Sequence, residues 1–156
     1  MATYDIGSWK PYPSCALSNF AAHSFVFDGV SCRSMEGLVQ AFKFDESYKQ
    51  VQACALTGED AKNFGRRRNL HWQRGQTLWW KGKVYDRHGP EYQKLLDRAF
   101  DALATNANFR RALIDTGVDM LTHSIGSRDP YETVLTEAEL CLRLMSLRER
   151  IHQWLI

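Results

Sequence analysis

Glu36, Gln40 and Lys43 recur at steps of three and four within SMEGLVQAFKF, residues 34 to 44. If the segment is a helix, an acid, an amide and an amine share one face, and Met35, Leu38, Val39 and Phe42 form the apolar stripe beside it. A carboxyl can give or take a proton, and a neutral amine can attack an electrophilic carbon. Glu36 and Lys43 lie roughly 10 Å apart along such an axis, too far to pair well, with Gln40 between them. Three polar tips with a gap in the middle could hold a ligand across the gap. Spacing alone favours a plainer picture, a solvated helix face on which Glu36 and Gln40 contribute a few tenths of a kcal/mol.

Other candidates carry less. Five histidines are scattered, and Ser124 beside His123 does not by itself make a triad. Asp129, in THSIGSRDPYETVLT, is most simply a turn former before Pro130, or else a carboxylate aimed at a sugar hydroxyl. Phosphate-loop, dinucleotide, nucleophile-elbow and zinc-protease signatures are missing. Four cysteines stand far apart with no C-x-x-C pair, which fits buried thiols in a reducing, cytoplasmic setting and suggests neither zinc nor disulfides. From Lys62 to Arg87 basic residues interleave with Trp72, Trp79, Trp80 and Tyr85. Such a stretch can neutralise phosphates and stack on bases, or it is a solvated surface over packed tryptophans.

The elements that must position these residues are partly legible. Residues 1 to 16 read as an irregular lead-in. Alternating apolar residues around Asp28-Gly29 predict a β-hairpin, and Ser34 is placed to cap the helix bearing the stripe. A second helix is expected from about Asp45 to Gly58, and a short third one around EDAKNF, ending at Gly65. Residues 66 to 88 show turns at Gly75 and Gly82 and a short hairpin. Beyond them Pro90 opens a helix to about Ala104, Asn106 caps one to Thr116, DMLTHSI is strand-like, and the box Thr136/Glu139 starts a long last helix. Helices dominate, strands are short, and there is no βαβ rhythm, so the chain reads as a helix-rich α+β single domain over residues 1 to 156, with a small, short-stranded β-sheet. A length of 156 residues with 44% hydrophobic and 24% charged content fits one globular core. A net charge of +2 says little about partners, and no run approaches a membrane span.

The order of short motifs says more: LSNF at Leu17 to Phe20, FVFDGV, S-x-E-x-x-x-Q-x-x-K-F, AKNFGR, and D-P-Y followed by L-x-L-M-S-L-R. Over about residues 17 to 151 this series resembles the NADAR (YbiA-like) family, whose fold is helix-rich with a small sheet. The resemblance implies an N-glycosidase that cleaves the bond between a ribosyl or ADP-ribosyl sugar and a nucleobase. The expected substrate is ADP-ribosylated guanine in nucleic acid or nucleoside. The alternatives are ribosylamino-uracil phosphates of riboflavin synthesis and a non-catalytic module that binds ADP-ribose or another nucleotide. It implies no cofactor, no metal and no membrane partner, and leaves the oligomeric state open.

Matched residue by residue, the resemblance makes Glu36, Lys43 and Asp129 catalytic. Ser18, Asn19, Phe20, Gln40, Gly65, Arg66 and Trp72 become substrate-binding, with Arg66 suited to phosphate. Two routes are open: a lysine amine attacks the anomeric carbon and forms a Schiff base, or a carboxylate activates water. The first needs Lys43 partly neutral, through burial or a nearby cation such as Arg66. The chain departs from the family pattern at Gly37, where histidine is usual, at Glu132 and Thr133 in place of Trp-Gly, and at Ala138 and Cys141. Those changes point to altered base recognition, a distinct subgroup, or binding without cleavage.

Overall fold

The computed structural model describes residues 2–154. Three short two-stranded ladders accompany a set of helices. The chain opens with β1 (Thr3–Asp5) and a 3-10 turn (Ser14–Leu17), then forms the hairpin β2 (Phe25–Phe27) and β3 (Val30–Cys32). Four helices follow: α1 (Met35–Ala41), α2 (Ser47–Cys54), α3 (Gly58–Arg66) and α4 (Asn69–Gly75). A second hairpin, β4 (Thr77–Trp80) and β5 (Lys83–Asp86), leads to α5 (Pro90–Leu103), α6 (Ala107–Asp115), β6 (Met120–Thr122) and α7 (Glu137–Trp154).

Local chemistry explains most boundaries. Ser34 Oγ accepts from Gly37 N at 3.1 Å, and Asn106 Oδ1 accepts from Phe109 N at 3.0 Å, so α1 and α6 start at side-chain caps. Thr136 N donates to Glu139 Oε1 at 2.8 Å while Glu139 N donates to Thr136 Oγ1 at 3.1 Å, the reciprocal box expected for α7. Both hairpins turn through two residues at positive φ, Asp28-Gly29 and Lys81-Gly82, the backbone whose twist matches antiparallel strands.

Four features differ from expectation. The lead-in contains β1, which pairs in parallel with β6 (Thr3 opposite Met120, Asp5 opposite Thr122) at the far end of the chain. The helix expected from 45 to 58 is only Ser47–Cys54, because Gly58, at φ +52°, begins α3. Residues 69 to 75 are helical, although no side chain caps their start. The strands form three separate pairs in place of one small sheet.

α1 lies at the centre, and all seven of its residues are buried. Phe42, just past its end, meets Trp80 and Tyr92 edge-on at centroid distances of 5.6 and 6.1 Å, and Trp79 N donates to Phe42 O at 2.9 Å. On the opposite flank Gly37 touches the end of α2. A Cβ there would stand 2.6 Å from Ala53 O and 2.8 Å from Leu56 O, both backbone atoms. Gly37→Ala must therefore push α2 off α1. Urea unfolding is expected to show a loss of about 1–3 kcal/mol; wild-type stability in that variant would mean the two helices do not pack this closely.

Candidate functional site

α1 is wrapped on its packing sides, so its polar stripe faces inward onto a cavity of about 590 Å³, within the range of small-ligand sites. Glu36, Gln40 and Lys43 form the floor, all three less than a tenth exposed. Lys43 lies two residues beyond the helix, in the turn where its N donates to Gln40 O at 3.1 Å. Ser18, Asn19 and Phe20 line one edge. Their loop is fastened to α1 because Glu36 N donates to Asn19 O at 3.0 Å, and Ser18 Oγ accepts from Phe20 N at 3.2 Å. α3 supplies Glu59, Lys62 and Arg66, and the start of α4 supplies Asn69. The remaining wall comes from Ser8, Trp9 and the irregular segment between β6 and α7.

The stripe does not form a direct acid–amine pair. Gln40 Nε2 donates to Glu36 Oε1 at 2.8 Å, and Lys43 Nζ donates to Asn69 Oδ1 at 2.6 Å. Each reactive group is thus held by a neutral amide. Burial, the leading cause, raises the Glu36 pKa, with the Gln40 hydrogen bond and the Lys43 charge pulling the other way. Burial also lowers Lys43 to about 8; Lys62 and Arg66 push in the same direction, and Glu36 opposes. Both shifts favour the neutral forms, a protonated carboxyl and an amine with a usable lone pair.

Three residues expected in the site stand elsewhere. Asp129 is exposed and outside the cavity lining, and its Oδ1 accepts from Tyr131 N at 2.9 Å, the turn-forming role that its place before Pro130 suggests. Trp72 is wholly buried in the core and cannot face a ligand from there. Gly65 lies behind the site: a Cβ there would coincide with the Gln40 amide, so the missing side chain makes room for Gln40. Arg66 does line the cavity. Most of the basic-aromatic stretch is also structural. Trp80 is buried against Phe27, Arg68 pairs with Glu46 at 2.9 Å, and Arg87 is buried with Glu139 at 2.7 Å. Lys62 and Arg66 have no ion-pair partner among the described residues. They are four apart on α3, a spacing visible in the sequence. Asn69 and Trp9 carried no such signal. Of the departures from the family pattern, Gly37 faces α2, and Ala138 and Cys141 line a separate hollow with Leu121. Glu132 and Thr133 reach the cavity.

The family described as bacteriophage protein GP30.3 has a model that matches residues 11–149. The chain belongs to that family. A relative in Enterobacteria phage T4, an uncharacterized 17.1 kDa protein of the Gp30–rIII intergenic region, is 37% identical over 153 residues, covering 97% of this chain and 100% of the relative. Among solved structures, the NMR structure of the E. coli protein YbiA superposes with a TM-score of 0.61 at 17% identity, covering 98% of this chain and 88% of that one. This GP30.3-family chain therefore has the YbiA-like α+β fold that its motif order implied. Among the described residues no helix is long and apolar enough to cross a membrane.

The lowered amine has a consequence for stability. The unfolded chain holds its proton up to the ordinary lysine value of 10.5, whereas the folded protein releases it at about 8, so burying Lys43 destabilises the fold below pH 8. Lys43→Met is expected to raise unfolding free energy at pH 7 by on the order of 1–3 kcal/mol, with the gain shrinking between pH 8 and 10.5. Urea titrations at pH 7 and pH 10.5 measure the difference; an equal effect at both would mean that the folded amine titrates normally.

Proposed function

We propose that the protein is an N-glycosidase that hydrolyses the bond between an ADP-ribosyl or ribosyl sugar and a nucleobase, with ADP-ribosylated guanine as its substrate. The observation that carries this reading is the burial of Lys43 and Glu36 on one cavity floor, with each pKa moved toward the neutral form. The likeness of motif order to the NADAR family supplies the bond type.

The chemistry uses the neutral forms that both shifts favour. The Lys43 lone pair attacks the anomeric carbon as the carbon–nitrogen bond to the base breaks. Glu36 gives its proton to the departing base nitrogen. The glycosylamine then opens to a protonated Schiff base, the ring oxygen taking the proton that the amine sheds. Water adds at the same carbon, the amine leaves, and Glu36 recovers a proton, so the sum is sugar–base plus water giving sugar hydroxyl plus free base. With its pKa lowered to about 8, a larger part of Lys43 is neutral at pH 7 than of an ordinary lysine. Gln40 orients the Glu36 carboxyl and Asn69 fixes the amine. Lys62 and Arg66 offer charge to a phosphate of the substrate.

Two measurements test this. Release of ADP-ribose from an ADP-ribosylated guanosine should fall at least about a thousandfold in Lys43→Ala and about a hundredfold in Glu36→Gln. Borohydride added during turnover should attach the sugar covalently to the wild-type protein and not to Lys43→Ala. Turnover without trapping would favour water activated by a carboxylate, and full activity in both variants would remove the proposal. Tight ADP-ribose binding with no release from any conjugate would leave the non-catalytic module. Release from ribosylamino-uracil phosphates in preference to the guanosine conjugate would reassign the substrate.

A further inference from the structure

The cavity lining also holds groups to which the proposed chemistry gives no role. Trp9 is 62% exposed and Ile125 59% exposed, large apolar side chains left open to solvent while lining the cavity. Exposed Glu132 lines the same cavity, and its carboxylate has no hydrogen-bond or ion-pair partner among the described residues. These three come from segments other than α3. The N-terminal segment is pinned by β1 pairing with β6, and His123 Nδ1 is 2.9 Å from Ile6 O, which fixes the start of the segment bearing Ile125. Gln73 Nε2 donates to Glu132 O at 3.1 Å, and Gln76 Nε2 to Tyr131 O at 3.0 Å, so the backbone carrying the free carboxylate is also held.

We infer that Trp9, Ile125 and Glu132 form the subsite for the leaving base, with the indole and the isoleucine covering its faces and the carboxylate accepting from its edge. This rests on the glycosidase reading above and names the residues that would read the guanine. A nucleotide has its phosphate and its base on different carbons of the sugar. With phosphate at Lys62 and Arg66, the base extends away from α3. A planar base needs a flat apolar partner, and the exposed indole provides one. A carboxylate only accepts hydrogen bonds, so it repels phosphate and favours an edge with neighbouring donors. Guanine presents two such N–H groups on its pairing edge, whereas adenine presents a donor beside an acceptor. The other free carboxylate of the cavity, Glu59, stands three residues before Lys62 on the cationic helix and does not compete for this role.

The full-length protein is titrated with guanosine, adenosine and ADP-ribose, and turnover of ADP-ribosylated guanosine is followed in parallel. Trp9→Ala is expected to weaken guanosine binding and lower kcat/KM for the conjugate at least about tenfold, with Trp9→Phe recovering most of the loss. ADP-ribose, which lacks the leaving base, should bind Trp9→Ala within about twofold of wild type. Glu132→Gln should shrink the preference for guanosine over adenosine about tenfold. Loss of ADP-ribose affinity in Trp9→Ala with guanosine affinity intact would put the indole on the distal adenine and overturn the assignment. Equal binding of guanosine and adenosine by the wild type, or an unchanged preference in Glu132→Gln, would overturn it too. If the wild type releases no sugar at all, the glycosidase reading falls by itself, while the guanosine titrations still decide whether these residues hold a base.

Discussion

Everything at the site depends on α1 having no solvent face. A seven-residue helix carrying Glu36 and Gln40 would ordinarily turn those groups outward. Here α2 closes one flank through the contact at Gly37, α3 closes another through Gly65, and β4 takes the end through the bond from Trp79 N to Phe42 O. The two glycines matter because a single added carbon at either would meet backbone or the Gln40 amide. Close helix packing and a buried polar floor are one arrangement. The burial that packs α1 is also the leading cause that moves Glu36 up and Lys43 down.

The wall between β6 and α7 is irregular chain, and it is held by hydrogen bonds to several elements. Asp5 accepts from Ser124 N at 2.8 Å and Ser124 Oγ at 2.6 Å, bonds that hold its carboxyl down to about 2. Arg87 Nε donates to Thr133 O at 2.9 Å while the same guanidinium binds both oxygens of Glu139. Tyr92, wholly buried, donates its hydroxyl to Val134 O at 2.5 Å. A loop whose carbonyls are bound this way costs little further order when a ligand arrives. Breaking the buried Arg87–Glu139 pair would leave a charge without its partner next to that wall. Its position suits it to fixing the shape of the site as well as the start of α7.

What the sequence discloses follows the range of the forces involved. α1, α5, α6, α7 and the first hairpin are legible because caps, turn residues and periodicity act within a few residues. β1 is not, since three residues pairing in parallel with the far end of the chain leave no local trace. α4 is missed because it begins without a side-chain cap and Trp72 turns into the core. At the site, the period of Glu36, Gln40 and Lys43 identifies their shared face but not whether that face is wet, which depends on what packs around α1. Asp129 and Trp72 are given site roles by the likeness of motifs, but a turn claims the first, as its place before Pro130 suggests, and the core claims the second. Asn69, Trp9 and Glu132 reach the cavity from separate elements, so no spacing links them to the stripe.

The cations of α3 have two effects that partly oppose each other. Lys62 and Arg66 disfavour the proton on Lys43, and they are also the charges free to meet a phosphate. A bound phosphate cancels part of their field, and its own negative charge favours a protonated amine. An amine kept neutral by neighbouring cations alone would regain its proton as substrate entered. Burial is the larger cause of the Lys43 shift, and a ligand that fills the cavity removes more water from the amine. The desolvation share therefore persists in the complex while the cationic share fades. For this reason the deep placement of Lys43 matters more to the proposed chemistry than its nearness to Arg66.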